Sequence, residues 1–222
     1  MRSDVVWWTD EKIAFYERAS RYSSFHRDLA SLIEEHIGKD DTIMELGAGL
    51  GHVTSILYND GYTISAYDSC KNAVDYANRR EGRELIALSD AYSLKERADV
   101  VLMLFFGSIR EKSDLDYFIS LARKKIIYVI SRHKGNPYST RIDRREEISS
   151  LLSGCGMKFS IIDTMLHFDQ MLKEEEVEEY FNISYGNNDI PKLEKTNDWQ
   201  YPLVFKNRKE ISIFIIEKEE KK

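Results

Sequence analysis

Residues 1–38 place Ile13, Phe15, Tyr16 and Ala19, then Phe25, Leu29, Leu32 and Ile33, at helical spacing. This predicts two helices with a break over 20–24 and a stop at Gly38. From Thr42 the pattern changes. Short apolar runs at 42–46, 63–67, 84–88, 98–106 and 124–130 read as strands, and amphipathic stretches at 52–58, 71–80, 91–97, 113–123 and 144–153 read as helices between them. Strands alternating with helices in this way predict βαβ units with right-handed crossovers, hence a doubly wound, Rossmann-like α/β sheet that is mostly parallel.

Beyond Gly154-Cys155-Gly156 the rhythm changes again. The stretches 158–166 and 210–216 read as strands, the second with Ile211, Ile213 and Ile215 in alternation, and an antiparallel pairing needs no helix between them. The intervening 173–207 opens with an acidic helical stretch (173–180) and continues as a loop carrying Trp199, Tyr201 and Phe205. A loop of that length in a compact domain is usually functional, often a lid. The expected organisation is one domain: a helical cover over 1–38, an α/β core over 39–172 and 208–222, and an insertion over 173–207 before the last strand.

Composition narrows the class. Of 222 residues, 42% are hydrophobic, 32% are charged and only 3 are proline, which excludes disordered and low-complexity chains. The formal net charge of −6 lacks the basic footprint of a nucleic-acid binder. Cys70 and Cys155 stand far apart in no metal-type spacing, so neither a disulfide nor a metal site is expected and the compartment is expected to be reducing, simplest as the cytoplasm. Asp4 and Asp10 interrupt the place where a signal peptide needs an apolar run, and the run from Val100 to Phe106 is too short to span a bilayer.

The candidate chemistry lies in Ile43-Met44-Glu45-Leu46-Gly47-Ala48-Gly49-Leu50-Gly51-His52: a strand, an acid near its end, glycines at alternate positions, then a helix. Glycines let the backbone turn tightly and approach a ligand, and a helix N-terminus offers free amides. The dinucleotide fingerprint G-x-G-x-x-G would need glycine where His52 stands, which weighs against a nicotinamide cofactor. Asp68 ends the second strand, where a carboxylate can hold both hydroxyls of a ribose, and Asp90 follows the third in Ser89-Asp90-Ala91, where it can reach a purine amine or simply cap the next helix.

With Glu45-x-Gly47-x-Gly49-x-Gly51, Asp68 and Ser89-Asp90-Ala91 in order on successive units, the sequence resembles the class I S-adenosylmethionine-dependent methyltransferases from about Thr42 to Ile130. The resemblance implies S-adenosylmethionine as cofactor, a sheet ending in an antiparallel hairpin, and a cofactor-binding set of Glu45, Gly47, Ala48, Gly49, Gly51, Asp68, Ser69, Asp90 and Ala91. The glycine loop would approach the methionine part, Asp68 the ribose and Asp90 the adenine.

The acceptor side is less marked. Methyl transfer is an in-line displacement in which alignment supplies much of the rate, so no dedicated base is required. Phe105-Phe106-Gly107-Ser108 stands where amino-methylating relatives carry Asn/Asp-Pro-Pro-Tyr/Phe, and neither cysteine follows a proline as in the pyrimidine carbon-5 enzymes. Candidate bases are His133 and His167, with His26 and His52 behind them. Tyr16, Tyr22 and Phe106 are candidates for acceptor contact, the tyrosines because each adds a hydroxyl to an aromatic run that otherwise covers apolar surface. The expectation is methyl transfer to a small-molecule acceptor, with no membrane. The alternatives are a non-catalytic S-adenosylmethionine-binding protein and an RNA methyltransferase, for which Arg141, Arg144, Arg145 and Arg123, Lys124, Lys125 would supply basic surface.

Overall fold

The computed structural model describes residues 8–107, 109–132, 143–185 and 190–218. Two helices lead, α1 (Asp10–Tyr22) and α2 (Phe25–Glu34). There follow β1 (Thr42–Leu46), α3 (His52–Asn59), β2 (Thr63–Asp68), α4 (Lys71–Glu81), β3 (Ile86–Leu88), β4 (Ala98–Leu104), α5 (Lys112–Leu121), β5 (Ala122–Ser131), α6 (Arg145–Gly154) and β6 (Phe159–His167). The chain closes with β7 (Gln170–Leu172), α7 (Val177–Tyr185), β8 (Glu194–Lys195), β9 (Leu203–Phe205) and β10 (Arg208–Glu217).

Seven strands form one sheet in the order β3-β2-β1-β4-β5-β10-β6, with β10 antiparallel to both neighbours and the other pairs parallel. Order reverses between β1 and β4, the switch point at which open α/β sheets bind ligands. Because side chains alternate along a strand, the central strands feed two cores. Ile43, Val100, Leu102, Ile127, Val129 and Ile213 meet α2 and α3, whereas Met44, Val101, Met103, Ile126, Tyr128 and Phe214 meet Leu115 and Phe118 of α5 and Ile148 and Leu152 of α6.

The expected helix over 91–97 is a single 3-10 turn, Ala91–Ser93, because Leu94 already returns to extended backbone (φ −72°, ψ 144°) on the short way to β4. Strand β4 stops at Leu104 rather than 106, because Phe105 turns into the left-handed region at φ 55°. The third strand begins at Ile86 rather than 84, since the amides of Leu85 and Ile86 are taken by the Asn78 side chain of α4.

The insertion holds more than a helix and a loop. It builds its own three-stranded antiparallel sheet, β7-β9-β8, which takes in 170–172 ahead of the expected boundary at 173. Phe181 is fully buried beneath it with Leu172, Tyr180 and Phe205, and Phe15 of α1 joins the same cluster. Arg18 of α1 clasps Glu176 through two hydrogen bonds, 2.6 and 3.1 Å, and reaches the Met171 carbonyl at 3.2 Å. No helix among the described residues is long and apolar enough to cross a membrane.

Candidate active site

The register of β1 on β2 pairs Leu46 with Tyr67, so the glycine loop leaves β1 beside the end of β2. There the amides of Gly47 and Ala48 both donate to the Tyr67 carbonyl, at 2.8 and 3.0 Å. Gly47, Gly49 and Gly51 have φ of 68°, 56° and 68°, a region from which a Cβ atom is largely barred. Space demands glycine as well: a Cβ on Gly47 would stand 2.1 Å from Cδ2 of Phe106. Asp68 ties the loop down, its Oδ2 accepting from the Gly49 amide and its Oδ1 from the Cys70 amide, both at 2.7 Å. Each carboxylate oxygen keeps a second acceptor position for a ligand. Asp90 accepts the Tyr92 amide at 3.0 Å, which is the capping role.

These elements surround a cavity of about 1040 Å3 at the carboxyl ends of the strands. Glu45, Gly47, Ala48, Gly49, Gly51, Asp68, Ser69, Asp90 and Ala91 all line it, and so do Tyr16 and Phe106. Tyr22 does not; it lies at the surface with its ring edge-on to Tyr201, 5.9 Å between centroids. His167 is exposed at the end of β6 and also lies outside the lining, because strand alternation turns it away. His133 lies outside the described residues. The insertion supplies none of the described lining residues; its β7 and α7 pack against α1, which carries Tyr16.

Glu45 is 3% exposed, and its Oε2 accepts from Thr54 Oγ1 of α3 at 2.5 Å. Burial, helped by the nearby Asp68, pushes its carboxyl up to about 7 despite that hydrogen bond. Opposite it the two N-terminal helices bring together groups that look unrelated in sequence. The Tyr16 hydroxyl lies 2.9 Å from His26 Nε2, the His26 ring stacks on His52 with centroids 4.4 Å apart, and His52 Nε2 is 3.0 Å from Glu17, which also pairs with Arg80 at 3.0 Å. Burial raises the Tyr16 phenol, as do the charges of Glu17 and Glu45. Burial also holds His26 well below its ordinary 6.5, with His52, Lys209 and Arg80 acting the same way. Burial would raise Glu17, but its hydrogen bond to His52 and the charge of Arg80 bring it below its usual range.

Further lining side chains stand outside the predicted site set, among them Trp8 and Phe25 of the N-terminal aromatic run and Phe105, Arg110 and Lys209. Trp8 lies over Gly49, 3.2 Å from where its Cβ would be, and edge-on to Tyr16. Its place next to the acidic start of α1 carries no local signal. Among the described residues no group of three or more His, Cys, Asp and Glu could hold a metal ion.

No protein-family model matches the sequence, and no curated protein matches it. Solved structures do match its fold. Magnesium protoporphyrin IX methyltransferase from Synechocystis, crystallised with S-adenosylhomocysteine, superposes with a TM-score of 0.55 over 95% of this chain and 88% of its own, at 11% identity. A methyltransferase from Archaeoglobus fulgidus, described as S-adenosylmethionine-dependent, gives 0.50 over 87% and 94% at 14% identity. The fold is that of the class I S-adenosylmethionine-dependent methyltransferases. A putative RNA methyltransferase from Pyrococcus horikoshii shares this methyltransferase fold with a TM-score of 0.51 over 98% and 90%, at 16% identity. Neighbours named for a porphyrin and for RNA share one sheet, so the acceptor has to be read from the cavity, not from the fold.

Proposed function

We propose that this chain is an S-adenosylmethionine-dependent methyltransferase acting on a small-molecule acceptor. The observation that carries the reading is the joining of the glycine loop to Asp68: left-handed glycines, with no room for a Cβ at Gly47, and a strand-end carboxylate with acceptor capacity left, at the switch point of the sheet. That arrangement fits the cofactor. Gly47, Ala48 and Gly49 would lie along its methionine part, Glu45 behind them, Asp68 and Ser69 at its ribose, and Asp90 and Ala91 at its adenine. When bound, the cofactor would supply an electrophilic methyl group on its sulfonium.

The chain's own part is alignment and exclusion of water. Trp8 and Tyr16 close one side of the cavity, and Phe106 presses on Gly47. A cavity of about 1040 Å3 lies just above the roughly 300–1,000 Å3 of typical small-molecule pockets, which suits a cofactor beside a small acceptor. Arg141 lies outside the described residues, and four of the other basic groups that an RNA surface would use are engaged locally. Lys124 bonds Asp41, Lys125 faces Glu217 at 3.8 Å, Arg144 bonds Glu147 and Arg145 bonds Asp163. Both cysteines are free thiols, which fits the cytoplasm as the compartment.

Calorimetry with S-adenosylmethionine and S-adenosylhomocysteine tests the reading, and binding of both is expected. No binding of either at high micromolar concentration overturns it. Incubation with a metabolite pool is expected to yield S-adenosylhomocysteine, and binding without any turnover would leave a cofactor-binding protein instead.

A further inference from the structure

The far end of the cavity is built differently from the cofactor end. Carboxylates Glu45, Asp68 and Asp90 belong to the β1–β3 side, whereas Arg110 follows β4 and Lys209 stands on β10. Between them lies Phe105, the one non-glycine residue with positive φ among those described, at 55°. A bulky aromatic in that region is strained and persists only where the surroundings hold it. Its amide is held by the Val129 carbonyl at 2.9 Å.

The strain has a visible product. Phe105 turns off the central strand so that its ring lines the cavity, 38% exposed, while stacking on Phe25 with centroids 6.0 Å apart and planes at 28°. Lys209 is drawn to the same ring: its ammonium lies 5.6 Å from the Phe25 centroid and 4.8 Å from that of Phe168. An exposed aromatic face and a cation therefore share one partner, Phe25, at the end of the cavity away from the cofactor acids.

We propose that the acceptor is a planar aromatic anion whose ring lies on the exposed face of Phe105 and whose negative group meets Lys209. Offset stacking on Phe105 and charge-assisted bonding to Lys209 would be made together by a ring carrying a carboxylate and by few other small molecules. This rests on the methyltransferase reading and deepens it.

The test uses the full chain with saturating S-adenosylhomocysteine and, separately, without it. The probes are benzoate, its uncharged analogue benzamide, and the saturated ring acid cyclohexanecarboxylate, each titrated by calorimetry. Benzoate is expected to bind at least tenfold more tightly than either analogue. Lys209→Gln is expected to weaken benzoate tenfold or more and Lys209→Arg to restore most of it, with S-adenosylhomocysteine affinity unchanged in both. Phe105→Leu is expected to weaken benzoate while keeping the strain, and Phe105→Gly to weaken it while raising Tm.

Equal binding of benzoate and benzamide overturns the proposal, as does no binding of benzoate where S-adenosylhomocysteine binds, or indifference to Lys209→Gln. Failure of S-adenosylhomocysteine to bind would instead strike the methyltransferase reading, and the titration without cofactor reads the aromatic-anion site independently of it.

Discussion

Tyr16 and His26 are joined by a 2.9 Å hydrogen bond that ties α1 to α2 at the wall of the cavity. His26 is 8% exposed, so removing the phenol oxygen strands a buried ring nitrogen. Tyr16→Phe is expected to cost about 1–3 kcal/mol of stability, the desolvation penalty of one unsatisfied buried polar atom. Urea unfolding measures it, and a variant as stable as the wild type would show that the bond contributes nothing.

Glu45 and His26 respond oppositely to pH. The Glu45 carboxyl is raised from 4.5 to about 7, so between those values the folded chain keeps a proton that the unfolded chain has released. Its stabilising contribution is full below 4.5 and is lost as pH rises through about 7, with a slope of up to about 1.4 kcal/mol per pH unit. His26 is lowered in the folded state, so below its ordinary 6.5 the unfolded chain gains a proton that the folded one refuses, and stability falls as pH falls. Denaturation at pH 5, 6, 7 and 8 checks both. Relative to the wild type, Glu45→Gln is expected to gain stability from pH 5 to 8, and His26→Gln to gain it from pH 7 to 5. Parallel curves would remove these groups from the pH response.

Gly47→Ala places a Cβ 2.1 Å from the Phe106 ring on backbone at φ 68°. Either Phe106 swings into the cavity or the loop shifts, and both obstruct the place proposed for the cofactor's methionine part. A loss of tenfold or more in S-adenosylhomocysteine affinity is expected by calorimetry, larger than for Gly61→Ala, where no atom lies within 4 Å of the added Cβ. Equal affinities in the two variants would contradict the assignment of the loop.

Arg18 and Glu176 hold the insertion to α1 with side chains only 13% and 19% exposed. Arg18→Ala leaves Glu176 without its cation and is expected to cost about 1–3 kcal/mol. Because α1 carries Tyr16 into the cavity, hydrogen exchange in α1 is also expected to quicken. Unchanged exchange there would mean that the insertion does not steady the cavity wall.

The parts of the site that were legible are those whose chemistry is local. Alternate glycines after an apolar strand allow the tight left-handed turns that few other residues tolerate, and Asp68 stands at a strand end by counting alone. Helix 91–97 was misread because an amphipathic stretch of that length cannot reveal that the chain must reach β4 within a few residues. The small sheet of the insertion was missed because β8, Glu194–Lys195, and β9, Leu203–Phe205, are too short to show any periodicity.

The sequence by itself determined the alternation of strands and helices, the glycine loop after β1 and the acid that ends β2, because periodicity and backbone freedom are properties of neighbouring residues. Only the tertiary structure decided that His26 would meet Tyr16, that Phe105 would turn onto Phe25, and that Lys209 would face the same cavity. Lys209 arrives there through the register of β10 on β5, which pairs Ile211 with Ser131. Even Tyr16 and His26, ten positions apart, meet only between two separate helices, and no local pattern encodes which of many exposed lysines or buried rings the packing will bring to one wall.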